Sequence, residues 1–435
     1  MNKIHLWQEP VKYNQDTLTT GITIELPNGK RLPLWYQLPI KYQNKIPSHC
    51  NSFVLAALFL AMDYPAELIV HGEVDRTLLQ NLIEFQIAWS AWQPRYQVIE
   101  ITVDREITPK IISSLEKSPT NPLVNSLEKS PESLLKTPEN QETQENQEAS
   151  KSAIMAFSGG VDSCFTLGRH TKFNSGRQQQ NLQAGVMVHG FDIPLNQPEI
   201  FAKALVRSQI ILDSVGVELI PIATNFRELD QDWEDVHGAA IVSCLMFLEN
   251  IYPLGLVASG PSYKSLVFPQ GSNPLTDRYL SSSSFSVIHD GAGSTRLEKI
   301  QAISDWPEVR EHLRVCWQGA ELDKNCCQCE KCIRSILSFR AVGAGLPSCF
   351  PVDVTPQQIN ILQVPQAQLE VDFVPILNQA KARGIDQPWV KSLESCIRRH
   401  ERGYAIKAMH RFLRQQMPPK IKKPLWQVRR RLIGR

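Results

Sequence analysis

The residues with the sharpest chemical pattern form a short loop between a predicted strand at 153–157 and a predicted helix. Paired glycines let the backbone curl around an oxyanion, and successive N–H groups at a helix start hold the charge. Because the Lys of a Walker loop is missing, the pattern predicts a different phosphate site. This glycine loop consists of Ser158, Gly159, Gly160, Val161, Asp162 and Ser163.

Within the glycine loop, the two serines add hydroxyl donors. Asp162 is predicted to position Mg²⁺ bound to pyrophosphate, or to cap the following helix. The alternative for the whole segment is a glycine-rich turn that merely starts a helix.

Five of the ten cysteines lie between residues 316 and 332. Three have the spacing C-x2-C-x2-C and a fourth lies ten residues upstream, so four thiolates can close a tetrahedral Zn²⁺ site with no open position. This predicts a structural zinc site made of Cys316, Cys326, Cys329 and Cys332. A [4Fe–4S] cluster uses the same spacing, and a site without metal is the remaining alternative. Cys327 is an extra thiol.

The glycine loop resembles the signature of the PP-loop ATP pyrophosphatases, which have a Rossmann-like fold and cleave ATP between the α and β phosphates. The cysteine turn is similar to the zinc site of 7-cyano-7-deazaguanine synthase and its relatives, with Trp317 in place of a Tyr and Cys327 in place of a Gly. The resemblance covers residues 153 to about 342. It implies ATP, Mg²⁺ and Zn²⁺ as cofactors, and transfer of AMP to a carboxylate or carbonyl oxygen.

Polar residues follow the predicted second and third strands of this region. The second strand end commonly meets the adenosine in PP-loop enzymes, which implies a nucleotide contact at His189 and a substrate contact at Asp192. Arg227 can hold a phosphate or a substrate carboxylate with its planar guanidinium, and His237 can face the same crevice from a helix start. The alternatives are a hydrogen-bonded loop histidine, a helix cap and a surface salt bridge.

Further candidates follow the fourth strand. Gly260 is predicted to contact the α-phosphate or the substrate. Lys264 is predicted to stabilise the charge on the departing pyrophosphate, which makes it a catalytic candidate beside Asp162 and Arg227. The resemblance implies a substrate contact for Arg296, where a helix begins after the substrate loop.

Alternating strands and helices position these residues. Their predicted order is strand 153–157, helix 163–171, strand 184–188, helix 197–215, strand 218–222, helix 234–251 and strand 255–259. The alternation predicts an α/β fold with a doubly wound parallel sheet, and the resemblance implies the Rossmann-like PP-loop (HUP) type. Ligands of such sheets bind beyond the carboxyl ends of the strands, where the candidates lie.

Three folded regions and a linker are predicted along the chain. Residues 1–107 predict an N-terminal α+β domain. Its elements are strand 21–26 with a turn at 27–29, helix 52–62, strand 67–71, helix 76–92 and strand 96–103. Residues 108–151 have almost nothing to bury and predict a disordered low-complexity linker. Residues 152–345 carry the PP-loop domain, and residues 346–435 predict a helical, basic extension.

The composition is that of an ordinary globular protein, with 42% hydrophobic and 21% charged residues in 435. The formal net charge of +2 gives no case for a nucleic-acid partner. Thirteen Lys or Arg between 397 and 435 keep RNA or anionic lipid as a partner that is not favoured. No apolar run reaches the ~20 residues of a transmembrane segment and no signal-peptide core opens the sequence, which predicts a cytoplasmic protein.

These motifs together predict an ATP-dependent ligase or synthase. ATP adenylates a small-molecule carboxylate and releases pyrophosphate, and ammonia or another nucleophile then displaces AMP. Residue 2 is Asn rather than the Cys of an N-terminal glutaminase, so ammonia is expected from solution or from a partner. The alternatives are a thiolation-type RNA-modifying enzyme, with Cys164 next to the loop, and a non-catalytic nucleotide-binding protein.

Overall fold

The computed structural model describes residues 2–108, 152–316, 318–319 and 321–416; between 406 and 416 it describes the backbone and the side chain of Met409. The predicted linker lies outside the described residues, except for residue 108. Trp317 and the basic residues beyond 416 also lie outside them.

A single ten-stranded sheet runs through the described chain. Its strands are β1 Asn2–Tyr13, β2 Thr17–Glu25, β3 Arg31–Pro39, β4 Ala66–Asp75, β5 Ile101–Ile107, β6 Ser152–Ala156, β7 Asn181–His189, β8 Glu218–Thr224, β9 Leu254–Ala258 and β10 Ser286–Asp290. Across the sheet the order is β10-β9-β6-β7-β8-β3-β2-β1-β4-β5. The five strands from β10 to β8 are parallel, β3 and β2 are antiparallel to their neighbours, and β1, β4 and β5 are parallel to one another.

Helices pack on this sheet. They are α1 Asn51–Asp63, α2 Arg76–Trp92, α3 Val161–Thr171, α4 Pro198–Asp213, α5 Trp233–Met246, α6 Arg296–Ile303, α7 Pro307–His312, α8 Glu330–Ala341, α9 Pro356–Ile361, α10 Gln366–Gln368, α11 Val374–Ala382 and α12 Pro388–Gln416. Residues 346–416 are mostly helical, as the sequence predicts. No helix of the described residues combines the length and apolar character needed to cross a bilayer.

The parallel half confirms the predicted α/β, Rossmann-like sheet. Counted along the chain from β6, its order is 3-2-1-4-5 from β8 to β10, so the winding direction reverses between β6 and β9. The central strand β6 is fully buried from Ala153 to Met155, which is typical of a parallel strand covered by helices on both faces. The reversal places a crevice beyond the carboxyl ends of β6 and β9, which is the usual ligand site of such sheets.

The N-terminal residues extend this sheet instead of forming one of their own. Strand β3 lies antiparallel beside β8, with Tyr36 opposite Thr224 and Gln37 opposite Ala223. The predicted boundary at residue 107 therefore separates two stretches of chain but not two sheets.

One predicted N-terminal strand is wrong in its first half. Strand β5 begins at residue 101, not at 96. The N–H of Gln97 donates to the carbonyl of Met62 at 3.0 Å, and the N–H of Ile99 donates to the side-chain oxygen of Gln86 at 2.9 Å. Residues 97–99 therefore form hydrogen bonds with the end of α1 and with a side chain of α2 before the chain joins the sheet.

The sheet separates two hydrophobic cores. The first lies against α1, α2 and α5 and joins both halves of the sheet: the rings of Phe53 in α1 and Phe247 after α5 are 5.4 Å apart. The second lies under α3, α4, α6, α7, α8 and the C-terminal helices. Successive β6 residues alternate between them, with Ile154 in the first and Ala153 and Met155 in the second.

Candidate functional site

The glycine loop follows β6 and leads into α3. Gly159 has φ +71°, a conformation that side chains with a Cβ rarely adopt. The hydroxyl of Ser163 donates to the carbonyl of Gly160 at 3.1 Å, and the N–H of Gly160 donates to the hydroxyl of Ser158 at 3.3 Å. The first N–H groups of α3 have no intrahelical acceptor, so this loop offers donors for an anion.

A buried lysine that the sequence prediction missed stands behind Asp162. The ammonium of Lys299 is 2.9 Å from one carboxylate oxygen of Asp162, and it also donates to the carbonyl of Ser259. Arg296 lies 3.4 Å from the other oxygen. The side chain of Lys299 is only 1% exposed, so the loop carboxylate is held from within the protein between two cations.

Arg314 ties the glycine loop to the segment that precedes the cysteines. Its N–H donates to the carbonyl of Gly159 at 2.8 Å. Its guanidinium donates to the carbonyls of Ser158 and Leu322, at 3.3 Å and 3.2 Å, and lies 3.5 Å from a carboxylate oxygen of Asp192. One side chain therefore connects the loop, the end of β7 and the cysteine segment.

The glycine loop opens into a cleft of about 880 Å³. Residues from the ends of β6, β7 and β8 meet there with residues from α6 and α8, so the cleft lies beyond the carboxyl ends of the parallel strands. Predicted site residues that line the cleft are Ser158, Gly160, Val161, Asp162, Asp192, Arg227, Arg296 and Cys316. Cleft residues with charged or aromatic side chains that the prediction left out are Phe191, Glu228, Trp233, Glu234, Arg314, Lys331 and Arg334.

Helix α8 and the start of α6 supply a basic wall of the cleft. Burial lowers the pKa of Arg296, and the charge of Arg334 lowers it further. Burial also lowers the pKa of Lys331, against the opposing charge of Asp192. Arg334 is held by ion pairs with the carboxylates of Glu330 and Asp372. The wall therefore crowds positive charges that an anionic ligand would stabilise.

A smaller, apolar cavity of about 250 Å³ adjoins the glycine loop. It shares Ser158 and Asp162 with the cleft, and Ser163 borders it too. Its remaining wall is mainly apolar, with side chains from β7, α5 and β9, including Val188 and Trp233. This cavity suits a flat, apolar group joined to an anion on the loop.

The opposite rim of the cleft carries Arg227. It belongs to a short 3-10 helix, Phe226–Leu229, directly after β8. Its guanidinium carbon lies 4.6 Å from the centre of the Trp233 ring. Stacking on an indole fixes the plane of a guanidinium and leaves its donors available at the edges.

Apart from Gly159 and Ser163 of the glycine loop itself, four predicted contacts lie outside the residues that line the cleft: His189, Gly260, Lys264 and His237. The ring of His189 stacks on Phe201 and bonds the carbonyl of Pro194 at 3.0 Å; burial lowers its pKa. The ring nitrogen of His237 lies 3.0 Å from the carbonyl of Trp233. His189 is therefore the hydrogen-bonded loop histidine of the alternative prediction, whereas His237 bonds to a carbonyl of its own helix, α5.

Gly260 and Lys264 differ in their surroundings. The carbonyl of Gly260 accepts from Lys299 at 3.4 Å, so it lies behind the loop instead of facing the cleft. Lys264 is exposed. The buried cation beside the loop carboxylate is therefore Lys299, and not the lysine that the sequence prediction chose.

The four predicted cysteines converge as a metal site requires. Their sulfur atoms all lie within 4.8 Å of one another. The Sγ atoms of Cys316 and Cys329 are 3.8 Å apart, and those of Cys326 and Cys332 are 3.9 Å apart. A tetrahedral Zn²⁺ with bonds of about 2.3 Å sets its sulfurs about 3.8 Å apart. The set therefore fits one ion such as zinc and is too compact for four thiolates on the separate irons of a [4Fe–4S] cluster.

The surroundings of the four cysteines support this arrangement. Cys329 is the N-cap residue of α8, and a hydrogen bond from Cys332 lowers the pKa of Cys329 to about 5. The side chain of Asn325 accepts from the N–H groups of Val315 and Cys316 and donates to the carbonyl of Leu313 at 2.8 Å. This amide holds the upstream cysteine beside the turn.

Cys327 is not part of the four-sulfur set. Its Sγ lies 3.6 Å from the carbonyl oxygen of Asn325, and its φ is +60°. A positive φ favours glycine, so the backbone at this position is one that a cysteine rarely adopts.

Local sequence signals existed for the missed cations. Lys299 follows Arg296 by three residues, which places both on one face of α6. Lys331 and Arg334 stand inside and directly after the cysteine turn, and Arg314 stands two residues before its first cysteine. Only the fold shows that these segments border one cleft.

No protein-family model, curated protein or solved structure matches this chain. Its function has to be inferred from the glycine loop, the two cavities and the four cysteines.

Proposed function

We propose that this protein is an ATP-dependent adenylating enzyme of the PP-loop type, similar to 7-cyano-7-deazaguanine synthase. It converts ATP to AMP and pyrophosphate while it activates a small-molecule carboxylate for attack by ammonia or another nucleophile. The observation that carries the proposal is the glycine loop after β6, which opens into the cleft. The carboxylate of its Asp162 forms an ion pair with the buried Lys299.

The loop and the cations around it suit the triphosphate of ATP. The N–H groups at the start of α3 and the hydroxyls of Ser158 and Ser163 donate to phosphate oxygens. Asp162 offers a carboxylate to Mg²⁺, which commonly takes one or two protein carboxylates together with phosphate oxygens and neutralises phosphate charge. Lys299 and Arg296 hold this carboxylate in place through their ion pairs, and Arg296 stabilises the charge that develops on the leaving pyrophosphate.

The two cavities suit the two other parts of the reaction. The apolar cavity beside the loop accepts the adenine ring. The cleft accepts the carboxylate substrate, because Arg227 on one rim and Lys331 on the other wall are cations that can hold it against the α-phosphate. The four-cysteine site takes a structural zinc ion that joins two segments of the cleft wall.

The first experiment incubates the full chain with Mg-ATP, ammonia and a panel of small carboxylates that includes 7-carboxy-7-deazaguanine. Nucleotide products are separated and identified. AMP and pyrophosphate that depend on one panel member, and fall by about 10²–10³-fold in Asp162→Ala, support the proposal. Asp213→Ala is the matched control, since this exposed carboxylate lies at the far end of α4.

Two results would contradict the proposal. ADP and phosphate as products would rule out the adenylating mechanism. Tight ATP binding without turnover on any acceptor would favour a non-catalytic nucleotide-binding protein.

The thiolation alternative finds little support in the site. A catalytic thiol has to reach the cleft, but burial raises the pKa of Cys164 and of Cys244 far above the usual range. Among described residues, the cysteine that lines the cleft is Cys316, which belongs to the four-sulfur set.

A further inference from the structure

The rim of the cleft that carries Arg227 is attached to the N-terminal half of the sheet. Residues 225–229 follow β8, which is the parallel strand next to β3, and they contact β3. Asn225, Arg227 and Glu228 line the cleft. A segment from the first hundred residues therefore stands directly behind a wall of the candidate site.

Asn225 makes this attachment with its side chain. Its amide oxygen accepts from the N–H of Trp35 at 2.9 Å, and its amide nitrogen donates to the carbonyl of Pro33 at 2.9 Å. The same nitrogen donates to the carboxylate of Glu228 at 3.1 Å. With 2% exposure, this side chain extends the hydrogen-bond ladder of β3 into the rim loop.

Further contacts fix the other end of the rim loop. The side chain of Gln231 donates to the carbonyl of Ala56 in α1 at 3.3 Å. Asp235 in α5 accepts from both Arg95 and Tyr96, each at 3.0 Å. The N-terminal half thus holds the rim loop and the start of α5, between which Arg227 stacks on the ring of Trp233.

Arg227 is placed to bind a ligand. Its side chain is exposed, stacks on Trp233 and forms no ion pair with any described residue. A guanidinium held flat in this way presents parallel N–H donors that match a carboxylate.

We propose that the N-terminal half of the sheet is a specificity element of the cleft, and that Asn225 is the positioning residue through which it places Arg227 for the carboxylate of the acceptor. The identity of this ligand rests on the proposed function. The attachment of the loop does not, because it follows from the hydrogen bonds of Asn225 and Gln231 with the N-terminal half.

The test compares Asn225→Ala with Asn250→Ala. Asn250 also bonds a backbone carbonyl of the N-terminal half, that of Lys45, at 2.9 Å, but it lies outside the residues that line the cleft. Hydrogen exchange of peptides covering 225–231 is measured first. We expect exchange at least about 10-fold faster in Asn225→Ala and unchanged in Asn250→Ala.

Steady-state kinetics form the second readout. Asn225→Ala is expected to raise the KM for the acceptor about 10-fold, and to leave the KM for ATP within about twofold. Arg227→Ala is expected to do the same. The double variant should be no worse than Arg227→Ala, because residues that act as one unit are not additive.

The outcomes separate this inference from the proposed function. Unchanged exchange in Asn225→Ala, an unchanged acceptor KM, or additive effects in the double variant would overturn the inference. Absence of AMP formation in the wild type would instead sink the proposed function, while hydrogen exchange would still decide the positioning role. Should the alanine variant not fold, Asn225→Ser repeats the test, since a hydroxyl cannot reach both backbone groups of β3.

Discussion

The two halves of the sheet are built differently, although they share one hydrophobic core. In the parallel half, helices cover both faces and the strands are buried on both sides. In the N-terminal half, α1 and α2 cover one face, and the other carries partly exposed side chains such as Trp7, whose ring lies 3.6 Å from that of His71. The candidate site lies at the strand ends of the parallel half, and the N-terminal half supports one rim of the cleft.

The largest expected effect tests whether the halves fold as one unit. Phe53→Ala removes a buried ring that packs against Phe247 across the boundary. We expect a loss of about 3–5 kcal/mol in the free energy of unfolding, from lost burial and the cavity left behind. Urea unfolding followed by fluorescence and by circular dichroism should show a single transition at lower urea in both signals.

The control for this comparison is Val206→Ala, an exposed position in α4, for which a change within about 0.5 kcal/mol is expected. Two separate transitions, of which only one moves in Phe53→Ala, would show that the halves unfold independently.

The next effect concerns the buried cation of the parallel half. Lys299→Ala removes the ammonium behind Asp162, and AMP formation is expected to fall by about 10²–10³-fold. Lys264→Ala, which removes an exposed lysine, should keep AMP formation within about twofold. A greater loss in Lys264→Ala than in Lys299→Ala would restore the assignment that the sequence suggested.

A third prediction concerns the metal site. Cys326→Ser is expected to abolish the binding of one zinc ion per chain and to lower Tm by on the order of 10 °C, because the ion joins the two segments around Cys316 and α8. Cys327→Gly should keep the zinc, and it removes a residue at φ +60°. The zinc content of the two purified variants is measured first, and their thermal unfolding second. Equal zinc content in both variants would contradict the four-sulfur assignment.

The smallest expected effect lies at the contact between the halves. The hydroxyl of Tyr36 in β3 lies 2.9 Å from that of Ser243 in α5, and both are buried. Tyr36→Phe should cost about 1 kcal/mol in the free energy of unfolding. The matched variant Tyr13→Phe, at an exposed position, should cost nothing measurable in the same urea titration.

Those parts of the molecule that depend on local sequence were predictable. The glycine loop, the four cysteines and the order of strands and helices from 153 to 259 are each contained in a short stretch, so spacing and periodicity suffice to find them. The hairpin between β2 and β3 was equally local, since a Pro-Asn-Gly turn separates its strands.

Contacts between distant segments were not predictable in this way. Lys299 is a buried cation only because α6 packs behind the glycine loop, 137 residues away along the chain. The attachment of β3 to β8 includes two residue pairs and the side-chain hydrogen bonds of Asn225, and none of these has a periodic signal. His189 and His237 were chosen for their residue type, but their neighbours satisfy both rings.

The order of the strands bears on the peptide link that joins the N-terminal half of the sheet to the parallel half. Strand β5 runs antiparallel to β6, so the last residue of β5 and the first residue of β6 lie at the same end of the sheet, opposite the cleft. Seven strand intervals, or about 34 Å, separate them. The hydrogen bonds of β3 and the shared core hold the halves together without this connection. Two separate polypeptides, 1–108 and 152–435, are therefore expected to reassemble as complementing fragments with an intact cleft.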